Sequence, residues 1–321
     1  MDPAAFLRAS RVVIVAGKGG VGKTTVTAAL ATMAAKEGLR TLIVETEAAS
    51  GLARLFGKAA LTYEEAPLVG PEGGTGTVAG RTVTPDRALL EYLEDHGLRR
   101  LSRRLVGTGA LDVVATAAPG IKDLLVLGKV KQLERSGGAD LVVVDAPPAG
   151  HAVTFLLSAR GLLDAVRIGP INVQAAEVME LLADPGRCSV MLVTLAEETP
   201  VNELVETAFA LEDRVGLTLA PVVVNGLYPE GGDPGADAVA VGETAPVTPS
   251  EAAELVAAAE FRRRRRALQE AQLERLAERL PLPQLRLPFL FRADLGRGEL
   301  DRLATALRDQ VANVTQLGGA A

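Results

Sequence analysis

Five runs of aliphatic residues constrain the fold most strongly, because they are apolar almost throughout rather than at alternate positions. Strands with this pattern are covered on both faces, as in a parallel sheet between two layers of helices. The five runs are RVVIVA (11–16), RTLIVET (40–46), DLVVVDA (140–146), SVMLVTLA (189–196) and LAPVVVN (219–225). Helical segments follow several of them, beginning with an alanine-rich segment over Lys23–Lys36. This alternation predicts a doubly wound, mostly parallel α/β sheet.

Three regions interrupt the alternation of strand and helix. Residues 58–84 are rich in Gly, Pro and Thr and predict a loop with one short strand. Residues 85–136 carry helical patterns and predict a helical subdomain inserted between the second and third core strands. Residues 229–250 contain few large apolar side chains and predict a mobile surface loop. A further strand is expected within 285–290, and residues 1–321 are interpreted as one domain with a helical appendage.

Charge and composition argue against several classes of function. The formal net charge of −6 disfavours a protein held to nucleic acid by bulk charge. The single cysteine, Cys188, excludes an internal disulfide, a four-cysteine zinc site and an iron–sulfur cluster within one chain. The sequence contains no run of about 18 apolar residues, so no membrane-spanning helix is expected. Residues 1–10 lack the pattern of a secretory signal. These features together predict a soluble cytoplasmic protein.

The segment after the first apolar run has the pattern of a phosphate-binding loop. The pattern G-x-x-x-x-G-K-[ST] occurs between a buried strand and a helix, where the mechanism requires it. Its members are Gly17, Lys18, Gly19, Gly20, Val21, Gly22, Lys23 and Thr24. Glycines let backbone amides turn towards a phosphate, and the helix presents its positive end. The loop predicts a nucleotide bound with Mg²⁺, in which Lys23 contacts the β- and γ-phosphates, Thr24 the metal, and Thr25 the α-phosphate.

Acidic residues follow the second and third apolar runs. Glu45 and Glu47 alternate at the end of the second run, and a period of two places them on one strand face, towards the phosphate loop. Asp145 lies near the end of the third run, where it suits Mg²⁺ binding through a water molecule. The proline pair before Gly150 predicts an irregular turn that can move, in which the Gly150 N–H senses the γ-phosphate.

These motifs resemble those of the arsenite-pump ATPase (ArsA-like) family, which includes the tail-anchored-protein-targeting ATPases. The run KGGVGKT is similar to the deviant phosphate loop of dimeric ATPases. The segments ETEAASGLARLFG, DAPPAGHAVTFL and VVVNGLYP follow it in the order expected of the family. The resemblance covers roughly residues 11–57, 119–228 and 281–300. It is weaker in the helical appendage.

The resemblance implies an ATPase dimer that closes on ATP and Mg²⁺ and has two switch segments. It implies that Lys18 reaches the nucleotide of the partner subunit, where its charge helps to neutralise the transition state. It also places Glu47 where a first-switch carboxylate orients the attacking water, and Asp145 at the start of the second switch. The adenine contacts that it implies are Asn225, Pro288 and Phe289.

Departures from the family pattern leave alternatives open. Glu47 stands where an aspartate is usual, and the extra methylene moves its carboxylate by about a bond length. Because a displacement of about 1 Å can slow a reaction ~100-fold, hydrolysis is expected to be slow or to depend on a partner. One alternative is therefore a weakly active, nucleotide-binding regulatory subunit paired with a paralogous ATPase. A second alternative is a partition- or septum-positioning ATPase.

The expected partners follow from the same resemblance. A second copy of the chain or a paralogue would complete the dimer, and a protein client would be bound that the sequence does not identify. No nucleic-acid partner is expected, and membrane association is expected only as peripheral contact through a partner. The arginine-rich segment 261–280 predicts a solvated helix, because glutamates follow its arginines at four-residue spacing. An acidic partner or lipid headgroups stay open as alternatives for this segment.

Overall fold

Eight strands in the described part of the chain form one sheet. The computed structural model describes residues 2–47, 51–71, 76–95, 120–229 and 248–317. The strands are β1 (Val12–Gly17), β2 (Arg40–Glu45), β3 (Ala66–Val69), β4 (Thr77–Thr82), β5 (Leu141–Pro148), β6 (Cys188–Leu195), β7 (Val222–Leu227) and β8 (Gln284–Pro288). Their order across the sheet is β3-β4-β2-β5-β1-β6-β7-β8, and the β3–β4 pair alone is antiparallel among them. The predicted fold class, a mostly parallel α/β sheet, is confirmed.

Helices cover both faces of this sheet. They are α1 (Pro3–Leu7), α2 (Lys23–Lys36), α3 (Leu52–Leu55), α4 (Pro85–Asp95), α5 (Ile121–Ser136), α6 (Ala149–Ala165), α7 (Pro170–Ala183), α8 (Glu198–Val215), α9 (Pro249–Arg279) and α10 (Arg297–Leu317). Alternate residues of the strands belong to two hydrophobic cores, one on each face of the sheet. Ile14 and Val144 pack with α4–α9. Val13 and Val143 pack with α1, α2 and α10. Burial on both faces explains why these strands are apolar at every position. No helix among the described residues is long and apolar enough to cross a membrane.

The apolar runs predicted the strands that lie in the centre of the sheet, but the prediction for residues 58–84 was wrong. That region contains two strands, β3 and β4, and β4 pairs with β2 inside the sheet. Its pattern is broken by Arg81, which is buried, lies over the ring of Tyr63 at 4.7 Å and pairs with Glu65. A buried arginine with tertiary partners gives no sign of a strand in the local sequence.

The described part of the predicted insertion at 85–136 consists of α4 and α5. Helix α5 contacts β5, α6 and α7, and its Leu124 and Leu127 are fully buried in the larger core. These two helices therefore belong to the layer that covers the sheet. Residues 96–119 lie outside the described residues, so the separate subdomain stays a prediction. Residues 230–247 of the predicted mobile loop also lie outside them, and α9 begins at Pro249.

Strand β8 forms one edge of the sheet. The Val222 N–H of β7 donates to the carbonyl of Pro283, at 2.9 Å. Because alternate residues of a strand face opposite neighbours, Gln284, Arg286 and Pro288 direct their backbone groups away from β7. The outward N–H of Arg286 donates to the side-chain oxygen of Gln310 on α10, at 3.4 Å. Helix α10 thus covers part of this edge.

Candidate nucleotide-binding site

The phosphate loop connects β1 to α2 and depends on glycine at defined positions. Gly20 and Gly22 have φ angles of +86° and +91°, in the left-handed region that favours glycine. A Cβ atom at Gly17 would lie 2.3 Å from the carbonyl oxygen of Val193 on β6. A Cβ atom at Gly22 would lie 2.3 Å from Nδ2 of Asn225 on β7. The loop therefore runs too close to β6 and β7 for any larger residue at these positions.

Lys23 opens α2 from a buried position. It is the first residue of the helix, where the backbone N–H groups have no partner within the helix and no side chain caps them. Burial lowers the pKa of Lys23, and the negative charges of Asp145 and Glu47 oppose that effect. Thr25 is half-buried on the same turn, and Gly19 is exposed, with Pro148 the nearest neighbour of a Cβ atom built there. The positive charge of Lys23 thus lies among acidic groups at the end of a helix.

Asp145 lies beside the phosphate loop on the neighbouring strand β5. Its Oδ2 accepts a hydrogen bond of 2.8 Å from the hydroxyl of Thr24. Burial raises the pKa of Asp145 to about 6, while Thr24 and Lys23 lower it and Glu45 and Glu47 raise it further. Its other oxygen, Oδ1, is buried without a hydrogen-bond donor among the described residues. One carboxylate oxygen is therefore available to a further ligand.

The structure separates the two glutamates that follow the second run. Strand β2 ends at Glu45, which is buried and accepts a hydrogen bond of 2.6 Å from Thr82 on β4. Glu47 lies beyond the strand and is exposed. The prediction that both share one strand face was wrong, because the chain leaves the sheet after Glu45. Strand β5 also lies between β2 and β1, so β2 does not pair with the strand that precedes the phosphate loop. Glu47 nevertheless influences Lys23 and Asp145 electrostatically.

Strand β5 continues directly into α6. The predicted irregular turn before Gly150 is wrong, because β5 extends to Pro148 and α6 begins at Ala149. Gly150 is the second residue of α6, so its backbone N–H belongs to the first turn, where helix N–H groups lack intrahelical acceptors. A second helix N-terminus thus follows the strand that carries Asp145.

The predicted adenine contacts lie on β7 and just beyond β8. Nδ2 of Asn225 donates to the backbone oxygen of Val21 at 2.9 Å, so β7 is attached to the phosphate loop. Pro288 ends β8, and the exposed ring of Phe289 stacks on Tyr228 with a centroid distance of 5.4 Å. Sequence analysis missed Tyr228 and the neighbouring Phe291. The aromatic residues in NGLYP and FLF were the available signal.

A buried glutamine fixes the segment after β7. Gln269 of α9 accepts from the N–H of Tyr228 at 2.9 Å and donates to the carbonyl of Gly226 at 3.1 Å. Phe291 packs edge-on against Tyr228, and Arg262 of α9 lies 6.0 Å from the centre of its ring. Sequence analysis also missed Gln269, because this contact joins residues more than 40 positions apart. Helix α9 therefore supports the aromatic end of the site.

Lys18 leaves the loop in a different direction from Lys23. Its Nζ donates to the carboxylate of Glu203 on α8 of the same chain. The two side chains are 37% and 40% exposed, so the ion pair lies at the surface. The phosphate loop, Asp145 and Asn225 therefore converge, whereas Lys18 contacts another part of the same chain.

The known proteins that are similar to this chain include several ATPases. A family model described as anion-transporting ATPase (ArsA) matches residues 10–168. The chain is 30% identical to the "Putative arsenical pump-driving ATPase" of Halobacterium salinarum, over 97% of this chain and 45% of that protein. The chain belongs to the ArsA-like ATPase family. Other matches include the ATPase BagA of Mycobacterium tuberculosis, 36% identical over 67% of this chain and 64% of that protein. The ATPase get3 of Schizosaccharomyces japonicus is 31% identical over 45% of this chain and 42% of that protein.

The extent of these matches differs between parts of the site. The chain spans slightly less than two thirds of the mycobacterial relative and less than half of the halobacterial one. The ArsA-like family match includes the phosphate loop, Glu47 and Asp145. Asn225, Pro288 and Phe289 lie beyond its end at residue 168. The phosphate side of the site is thus the part that lies within the region matched by the family model.

Proposed function

We propose that this ArsA-like chain binds ATP with Mg²⁺, hydrolyses it, and uses ATP to close a dimer that acts on a protein client. The observation that carries the proposal is the contact of Thr24 with Asp145, at 2.8 Å, next to the buried Lys23. A hydroxyl and a carboxylate at the mouth of a phosphate loop are the groups that a metal–nucleotide complex requires. The dimer, which is formed by two copies or with a paralogue, and its client rest on the family resemblance.

The residues at this position fit Mg²⁺. Thr24 and Asp145 supply oxygen atoms, which this hard cation prefers, and the buried Oδ1 of Asp145 has no donor among the described residues. Thr24 would hold the metal directly, and Asp145 would hold it through a water molecule. When bound, Mg²⁺ would offset the negative charge of the phosphates.

The phosphates would be held by backbone amides and Lys23. The amides of Gly17–Gly22 and the α2 N-terminus would bind the β-phosphate, Thr25 would contact the α-phosphate, and the Gly150 N–H would donate to the γ-phosphate. Lys23 is partly desolvated, so the ammonium group gains more from a phosphate than an exposed lysine would. The adenine would lie near Asn225, with Pro288 and Phe289 against its face.

The first test is the replacement of Lys23 by Ala. Loss of a charge paired with a buried partner typically costs about 3–5 kcal/mol, which corresponds to roughly 10²–10⁴-fold in ATP affinity. Lys36→Ala is the matched control, since it removes a lysine from the exposed end of the same helix. Calorimetry should show near-normal ATP binding for the control only. Normal binding by Lys23→Ala would show that the pocket is misassigned.

Catalysis would combine Glu47 of one chain with Lys18 of the other. Glu47 would orient the attacking water, and Lys18 would place its charge beside the partner's phosphates. Lys18→Ala should then bind ATP within a few fold of wild type but lose roughly 10³-fold in turnover. Mixing Lys18→Ala with Glu47→Gln should partly restore activity, because one site of the mixed dimer is intact. Absence of restoration would place both groups in the same chain's site.

A second candidate function is a weakly active regulatory subunit paired with an active paralogue. The exposed position of Glu47, beyond the end of β2, favours this candidate, because a carboxylate that is not held by packing orients water poorly. If Glu47→Gln matches the turnover of the wild type while ATP binding stays intact, the regulatory function is supported. A turnover at least 10-fold lower supports the catalytic one.

A further inference from the structure

The ion pair between Lys18 and Glu203 holds the loop lysine on its own chain. The residues are 185 positions apart, so the contact depends on the fold and not on local sequence. Both side chains are more than one third exposed. A pair of this kind is weak enough to exchange with another partner, since exposed ion pairs contribute less than about 1 kcal/mol.

The carboxylate of Glu203 is presented from a fixed position. Arg275 and Arg279 of α9 both donate to the side-chain oxygen of the preceding residue, Asn202, at 2.8 and 2.9 Å. A third arginine of α9, Arg265, pairs with the residue that caps α8, Glu197. These contacts attach the first turns of α8 to α9. The arginine-rich helix therefore sets the place from which Glu203 reaches Lys18.

We infer that Glu203 is a positioning residue that restrains Lys18 within its own subunit, and that its release is a step in closing the ATP-bound dimer. The inference rests on the proposed function, because it requires that Lys18 act in the partner's site. It extends that function by assigning Glu203 and by giving the α9 arginines a role. Lys18 cannot bind Glu203 and extend to the partner's phosphates at once, so the two contacts compete.

The size of the effect follows from the exposure of the pair. Breaking one exposed ion pair changes an equilibrium by about 2- to 5-fold. A symmetric dimer must break two such pairs, one in each chain. Removing the carboxylate should therefore strengthen nucleotide-dependent dimerisation by about 4- to 25-fold.

The test compares Glu203→Gln with Glu206→Gln, which removes an exposed carboxylate from the same helix. Sedimentation in saturating AMPPNP and Mg²⁺ measures the dimer dissociation constant. Glu203→Gln should dimerise about 4- to 25-fold more tightly than wild type, and Glu206→Gln should not change. The difference in dissociation constant between Glu203→Gln and wild type should shrink in 0.5 M salt, because exposed ion pairs are screened when the Debye length is only ~4 Å. A purely structural role of Glu203 would not give this dependence on salt.

The outcomes separate the inference from the proposed function. If wild type dimerises but Glu203→Gln dimerises equally or more weakly, the role of Glu203 is refuted and the dimer stands. If wild type remains monomeric with AMPPNP at all concentrations, the dimeric function itself fails. Thermal unfolding of Glu203→Gln checks that the variant is folded, and Glu203→Asp, which keeps the charge, should remain closer to wild type.

Discussion

Replacing Asp145 by Asn should stabilise the nucleotide-free protein while abolishing its function. Burial raises the pKa of Asp145 from 3.8 to about 6, so ionising this carboxyl opposes folding. This rise in the pKa from 3.8 to about 6 corresponds to about 3 kcal/mol of unfolding free energy. Asn keeps the shape and an oxygen that can accept from Thr24, but carries no charge to desolvate. The carboxylate would thus be retained for Mg²⁺ at the expense of stability.

The sign of the pH dependence follows from the raised pKa. Between about pH 4 and pH 6 the folded protein binds more protons than the unfolded chain, so its stability falls as the pH rises through that window. Above pH 6 the full difference between Asp145 and Asn is present, and near pH 4 it vanishes. For a chain of this length, about 3 kcal/mol corresponds to a melting temperature roughly 4 °C higher for Asp145→Asn.

The assay is thermal unfolding of both proteins at pH 4.5 and pH 8 without nucleotide. We expect Asp145→Asn to melt higher at pH 8 and close to wild type at pH 4.5. Addition of ATP and Mg²⁺ at pH 8 should stabilise the wild type much more than the variant. An Asn variant that is less stable than wild type at pH 8, or equally stabilised at both pH values, would refute the argument from burial.

Three further predictions concern the pH dependence of turnover, the phosphate loop and the single cysteine. The kcat/KM for ATP hydrolysis should fall below about pH 6, because a protonated Asp145 carries no negative charge to attract Mg²⁺ and its water. A profile that is flat from pH 5 to 8 would contradict this prediction. Gly22→Ala should lower ATP affinity at least ~10-fold in a calorimetric titration, because its Cβ would meet Asn225. Gly38→Ala is the control, since Gly38 has a similar φ angle but open space around it, and this variant should bind ATP normally. Burial raises the pKa of the Cys188 thiol to about 12, so the native protein should not react with a thiol reagent. For the same reason arsenite should not stimulate ATP turnover. Stimulation that survives Cys188→Ser would show that arsenite binds to residues other than this cysteine.

The sequence predicted those parts of the fold that rest on local pattern. Central strands such as β1 and β5 are covered on both faces, so their residues are apolar at each position. The bounds of α2, Lys23–Lys36, were predicted in full. Only one of the two strands in residues 58–84 was expected, because Arg81 and Gly80 of β4 fit only with tertiary partners: Tyr63 lies against Arg81, and Leu61 and Leu68 lie against Gly80.

The candidate site divides in the same way. The phosphate loop and Asp145 are local motifs at strand ends, and the structure brings them into contact. The contacts of Glu203 and Gln269 join distant parts of the chain, and no local sequence pattern predicts them. The arginine-rich helix was predicted to be solvated with i,i+4 pairs. Two such pairs are present, at Arg264 and Arg266, but other arginines of the helix bind α8 instead.

Strand β8 also bears on how the protein behaves when it is concentrated. An exposed sheet edge is a template on which a strand of another molecule can add, and this is a common route to aggregation. Here the outward N–H of Arg286 is occupied by Gln310, and the next outward residue, Pro288, has no N–H to offer. A foreign strand would therefore find few donors along β8. The contact between α10 and the sheet edge thus disfavours aggregation of copies of this chain by edge-to-edge strand pairing.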